Sequence, residues 1–178
     1  LLLLAGIALP ILVVAVLMED YRQSRVLMFM DPWESTEKGA YQLRQALIAL
    51  GAGGVFGQGL NFSRQKLLFL PYGESDFIFA IIGEELGFIG CTLLILTYLF
   101  IIYRGIRIAM RCKDRFGSLM AAGITAVIGM QAAINIAVAT SSIPPTGQTL
   151  PFVSAGGTSL MIFLAAAGIL LNISRNIE

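Results

Sequence analysis

The feature that most constrains this chain is the spacing of its long apolar runs. Residues 1–18, 77–103, 117–140 and 152–173 are each long enough to cross most or all of a hydrocarbon core, which takes about 20 residues of helix. In lipid every backbone polar group needs an internal partner, so runs of this length fold as helices. The predicted fold class is an all-α polytopic membrane protein, with residues 1–178 forming one membrane domain. Pro10 kinks the first run, and the last is rich in Ala, Gly and Leu, which suits close helix packing in lipid. Composition agrees: 13% of residues are charged, against about 25% in a soluble domain. The chain opens at Leu1 inside an apolar run, without Met or a basic n-region. More spans follow where a signal peptide would be succeeded by a soluble domain, so it reads as a fragment lacking its N-terminal part.

Charge sets the orientation. The short segment 104–116 holds Arg104, Arg107, Arg111, Lys113 and Arg115 against Asp114 alone, and the positive-inside rule places it in the cytoplasm. Residues 19–76 carry six basic and seven acidic side chains and fall outside. The 141–151 connection is then also outside, and Arg175 inside.

Several chemistries are excluded at once. There is no histidine, which removes Ser–His and Cys–His relays and any imidazole-bound zinc. Cys91 and Cys112 would stand about 30 Å apart on one helix, too far for a disulfide. A net charge of +1 without a basic stripe argues against a nucleic-acid partner.

The outer segment 19–76 is too long to be a bare connector. Leu43, Ala46, Leu47 and Leu50 share one helical face, which predicts an amphipathic helix lying on the membrane surface. The five glycines of 51–59 lack a phosphate-loop pattern and read as a flexible or re-entrant turn.

Polar side chains are densest just before the second run. Arg64 and Lys66 suit a lipid diphosphate, because cations neutralise phosphate oxygens. Glu74, Ser75 and Asp76 follow, and Asp76 fits either a helix N-cap or a general base. Glu84 and Glu85 point about 100° apart and lie inside the run, where an unpaired carboxylate costs several kcal/mol. One of them is expected in the protein interior and the other near water or a missing span; helix-to-helix bonding and a catalytic role are equally compatible. Gln131 and Asn135 share a helix face and read as interhelical hydrogen-bonding residues. The segment from Ile143 to Ser159 is rigid with Pro and Gly, and the hydroxyls of Thr146 and Ser154 either meet a substrate or cap the last helix.

The stretches Asp31-Pro32-Trp33, Arg64-Gln65-Lys66, Ser75-Asp76-Phe77, Gly83-Glu84-Glu85-Leu86-Gly87 and Ser154-Ala155-Gly156-Gly157-Thr158-Ser159 resemble the SEDS family (shape, elongation, division and sporulation). The Asp-Pro-Trp, Arg-Gln-Lys and Gly-Glu-Glu forms look more like its cell-division branch than its elongation branch. The resemblance implies a ten-span fold, of which these are the last four spans. It also implies a bacterial inner-membrane peptidoglycan glycosyltransferase at the division septum. Its substrate is lipid II, and its partners are a class B penicillin-binding protein and other divisome proteins. The family's essential aspartate maps onto Asp76. Tyr72 stands where the family usually has Glu, and Ser75 stands for its usual Thr.

On this reading Asp76 takes the proton from the 4-hydroxyl of an incoming lipid II, which attacks the anomeric carbon of the growing strand with inversion. Arg64, Lys66 or a bound divalent cation (Mg2+ or Mn2+) stabilises the departing undecaprenyl diphosphate. Glu74, Ser75, Glu84, Thr146 and Ser154 complete the expected substrate contacts. The rival readings are a lipid II transporter relying on Glu84, Gln131 and Asn135, an elongation-type polymerase, and a scaffold that only positions a synthase.

Overall fold

The computed structural model describes residues 29–33, 38–61, 63 and 76–175. Its helices, in chain order, are α1 (Lys38–Gly53), α2 (Ile78–Arg111), α3 (Arg115–Ala139) and α4 (Gly157–Arg175). The last three are each long and apolar enough to cross a membrane, and they coincide with three of the four apolar runs. The first run, 1–18, lies outside the described residues.

Hydropathy marks where lipid ends, which is not where the helix ends. α2 was expected to stop at Tyr103, but it continues through Arg104 and Arg107 to Arg111. Arginine is a good helix former, and cations favour a helix C-terminus. Only residues 112–114 separate α2 from α3. Asp114 closes that turn, its carboxylate accepting the Gly117 N–H at 2.8 Å as the N-cap of α3. At about 1.5 Å per residue α2 is roughly 50 Å long, more than a bilayer core requires.

α2 and α3 meet along small residues. A Cβ on Gly105 would overlap the Thr125 side chain, and one on Gly129 would stand 3.0 Å from Ile102. Ala109, Ala121 and Ala132 are buried on the same seam. Without a hydrophobic drive between helices in lipid, such close backbone approach is what makes association favourable. α4 contributes less: Phe163 is its one buried residue, set against Phe152 with ring centroids 5.7 Å apart.

α1 does not lie flat on the surface. Its early residues Gly39 and Gln42 stand beside Asp76 and Phe77, whereas Leu50 and Gly53 reach Gly83. The helix therefore descends alongside the first turns of α2. The face it buries is Ala40, Leu43, Ala46 and Ala49, with Leu47 only partly covered. Alanine lets two helix axes approach closely, and against Phe77, Ala80, Ile81 and Val138 this face forms a core cluster.

Beyond α1 the glycine-rich turn enters a break in α2. Gly87 has φ 66° and ψ −163°, a non-helical residue inside the helix. In an unbroken helix Phe88 and Ile89 would donate to the carbonyls of Glu84 and Glu85. Here those carbonyls accept from Gln58 and Gly59 N–H at 2.9 and 3.0 Å. Phe88 and Ile89 N–H donate instead to Gly54 and Val55 carbonyls at 2.9 and 3.3 Å. The turn supplies both halves of the missing helical bonding for these four groups, which would otherwise be left bare in an apolar setting. A Cβ on Gly57 would overlap the Glu85 carbonyl, and one on Gly53 the Gly83 carbonyl. The turn is thus re-entrant, and its glycines are required by close approach.

Candidate functional site

Asp76 stands at the entrance to α2, half-buried. The helix begins at Ile78 and its N-cap is Phe77, without a side-chain cap bond. The Phe77 carbonyl accepts from Ala80 N–H at 2.9 Å and from Ile81 N–H at 3.3 Å. The N-cap position considered for Asp76 is therefore taken by Phe77, one residue later.

The Asp76 carboxylate lines a cavity of about 100 Å³ with Gly39, Gln42, Phe77, Val138, Pro145, Gly147 and Gln148. Four separate pieces of chain build it: the start of α1, the entrance to α2, the end of α3 and the 145–148 connection. Gly147 has φ +70°, and a Cβ there would stand 3.7 Å from Asp76 Oδ2. The Asp76 carboxylate thus faces the space beside Gly147 that a side chain at that position would take.

The connection is held from below by α3. The Asn135 amide, fully buried, donates to the Gln148 carbonyl at 2.6 Å and to the Asp76 carbonyl at 2.9 Å. One turn earlier the Gln131 amide donates to the Thr149 carbonyl at 3.2 Å and lies 3.4 Å from its hydroxyl. Sequence spacing correctly marks these amides as cross-linking, but the elements they tie are connections rather than helices.

Of the expected substrate contacts, Arg64, Lys66, Glu74 and Ser75 lie outside the described residues. Thr146 is exposed beside the cavity wall. Ser154 is buried, and its Oγ accepts the Leu150 N–H at 2.7 Å, so this hydroxyl shapes the connection. Nearby, the Tyr98 hydroxyl donates to the Pro151 carbonyl, and the Thr149 and Ser159 hydroxyls pair at 2.9 Å. Gly39, Gln42 and Gln148 were not singled out by sequence. Gln42 sits at a polar position of an amphipathic helix, and nothing local distinguishes it from a solvated face.

Glu84 is 1% exposed and Glu85 half-buried, so the first of the two is the one packed in the interior. The Ser63 hydroxyl, itself buried, donates to the Glu84 carboxylate. Glu84 thereby ties the segment leading to Asp76 onto α2, away from the cavity lining. Removing one partner from a buried carboxylate costs about 1–3 kcal/mol. Ser63→Ala is expected to lower the melting temperature of the full-length protein by several degrees, read by thermal shift in detergent. Among the described residues no three His, Cys, Asp or Glu side chains converge, so the described part of the cavity does not by itself form a metal cage.

The whole chain, residues 1–178, matches the family model described as cell cycle protein, the FtsW, RodA and SpoVE group. It is 51% identical over 160 residues to stage V sporulation protein E of Bacillus subtilis, covering 90% of this chain and 44% of that one. It is 44% identical over 171 residues to the probable peptidoglycan glycosyltransferase FtsW of Geobacter sulfurreducens, covering 96% of this chain and 46% of that one. Among solved structures it resembles a chain from work on the structural coordination of polymerization and crosslinking by a peptidoglycan synthase complex. The TM-score is 0.73 at 27% identity, over 99% of this chain and 49% of that chain. The chain thus spans about half the length of the relatives it matches. With three candidate spans and a family match over its full length, it is a multi-pass membrane protein and belongs to the FtsW/RodA/SpoVE family.

Proposed function

We propose that the full-length protein is a peptidoglycan glycosyltransferase that polymerises lipid II during septal wall synthesis, with Asp76 as its general base. The observation that carries this reading is the cavity at Asp76, which sets one carboxylate against a wall containing Gly147, at the end of the spans that the positive-inside rule assigns to the outside. A sugar hydroxyl entering there meets an acceptor within hydrogen-bond reach, as proton removal needs. Attack by the resulting oxygen on the anomeric carbon forms the new glycosidic bond and releases undecaprenyl diphosphate. One base suffices for a single inverting displacement. Arg64 and Lys66 are the cations proposed to meet the diphosphate, and a class B penicillin-binding protein the partner that cross-links the product. The names carried by the Geobacter relative and by the solved synthase complex support the same chemistry.

The transporter reading loses support at the three residues it relied on. Glu84 is bonded to Ser63, and the amides of Gln131 and Asn135 are spent on backbone carbonyls. The decisive measurement is gel-resolved lipid II polymerisation by the full-length protein with its penicillin-binding partner, comparing wild type with Asp76→Asn. Orientation has its own test. Gln148→Cys is expected to react with an impermeant maleimide added from the periplasmic side, while the native Cys112, beside the basic turn, stays unlabelled until the membrane is opened. Labelling of Cys112 alone would reverse the topology.

A further inference from the structure

We propose that Asn135 is the positioning residue for Asp76, its buried amide setting where the carboxylate stands relative to the 145–148 wall. The inference rests on the base assignment above and deepens it.

An asparagine amide has two N–H donors, and here both go to backbone carbonyls that belong to opposite walls of one cavity. One is Asp76 at 2.9 Å and the other Gln148 at 2.6 Å. These acceptors are 59 and 13 residues away in sequence. A single side chain with no exposed surface thus fixes the spacing between the carboxylate and the wall it faces. The amide orientation follows from chemistry, because turning it over would set its oxygen against two carbonyl oxygens. Among the described residues its Oδ1 has no partner, so an apolar replacement of similar size acts through the two donated bonds and the two carbonyls it leaves without that donor.

The chain just after the Asp76 Cα is held at two successive peptides. Asn135 holds the carbonyl of Asp76, and the first turn of α2 holds that of Phe77. The carboxylate therefore projects from a Cα whose following peptides are held in place. Effective catalysis depends on such prior orientation, and a displacement of about 1 Å costs roughly 100-fold in rate. Gln131 supplies the internal control. It lies one turn away on the same helix and anchors the same connection at Thr149, but its amide makes no contact with Asp76 in the bonds it forms.

The test uses the full-length protein with its penicillin-binding partner. Asn135→Leu is expected to lower kcat for lipid II polymerisation about 10- to 100-fold with KM nearly unchanged. Gln131→Leu should cost less than Asn135→Leu. In an Asp76→Asn background, Asn135→Leu should cost nothing further, because there is no base left to position. Wild-type rates in Asn135→Leu, equal losses in the two amide variants, or losses that multiply in the double variant would each overturn the proposal. If Asn135→Leu does not fold, Asn135→Ser, which keeps one donor, is read in its place. Failure of both to fold assigns Asn135 to stability and also defeats the inference. Should Asp76→Asn polymerise normally, the base assignment itself falls.

Discussion

Asp76→Asn in the full-length protein should reduce lipid II polymerisation by about 10²- to 10⁴-fold, the usual contribution of a general base. That corresponds to roughly 3–5 kcal/mol of activation free energy. The change is isosteric, and it removes acceptor basicity without altering volume. Because the backbone carbonyl of Asp76, not its carboxylate, receives the Asn135 bond, the walls of the cavity should stay in register. The loss is therefore expected in kcat, with KM and melting temperature close to wild type. Asp76→Glu is a sharper variant. It keeps the base but pushes it a methylene further into a cavity of about 100 Å³, and an intermediate loss of roughly 10- to 100-fold is expected. A rate within three-fold of wild type for the asparagine variant, with assays shown to be limited by chemistry, would defeat the assignment.

The second large effect concerns the fold. Gly87→Val should deplete folded protein, because two penalties coincide at one position. With φ 66° and ψ −163°, the backbone occupies a region essentially reserved for glycine, which costs another residue about 1–3 kcal/mol. A Cβ there would also collide with Gly57 N and the Val55 carbonyl, forcing out the turn that completes the helix bonding. Each of the four displaced hydrogen bonds is worth about 0.5–1.5 kcal/mol. The sum is on the order of 3–5 kcal/mol after relaxation, against a total stability of about 5–15 kcal/mol for a typical domain. Detergent-solubilised yield and thermal unfolding read it directly. Gly123→Ala is the control: no atom lies within 4 Å of its added Cβ, so it should be neutral or slightly stabilising. Equal behaviour of the two variants would refute the account of the break.

The same comparison of residues shows what could be read from sequence. The three described spans were legible because lipid leaves so few ways to satisfy a backbone. The end of α2 was not, since arginines that mark the cytoplasmic boundary are also good helix formers. For α1, the leucines 43, 47 and 50 suggest a surface helix. The informative residues are the alanines at 40, 46 and 49, whose small size signals another helix at close range. The break at Gly87 has no local signature: a glycine in an apolar run looks like any packing residue until its partner turn, some thirty positions earlier, is known. The resemblance points to Asp76 as the family's essential carboxylate, but Gly39, Gln42 and Gln148 become its neighbours only through tertiary structure.

The spliced break also restricts the gene. Most connections tolerate insertion or deletion, because their ends can drift. Residues 54 and 55 are bonded to one bank of the gap in α2, and 58 and 59 to the other, so the stretch between them acts as a ruler with both ends clamped. Deleting a single codon there would shift one pair of bonds out of step and leave peptide groups facing hydrocarbon. The count of residues in that turn is therefore as constrained as any side chain in the protein.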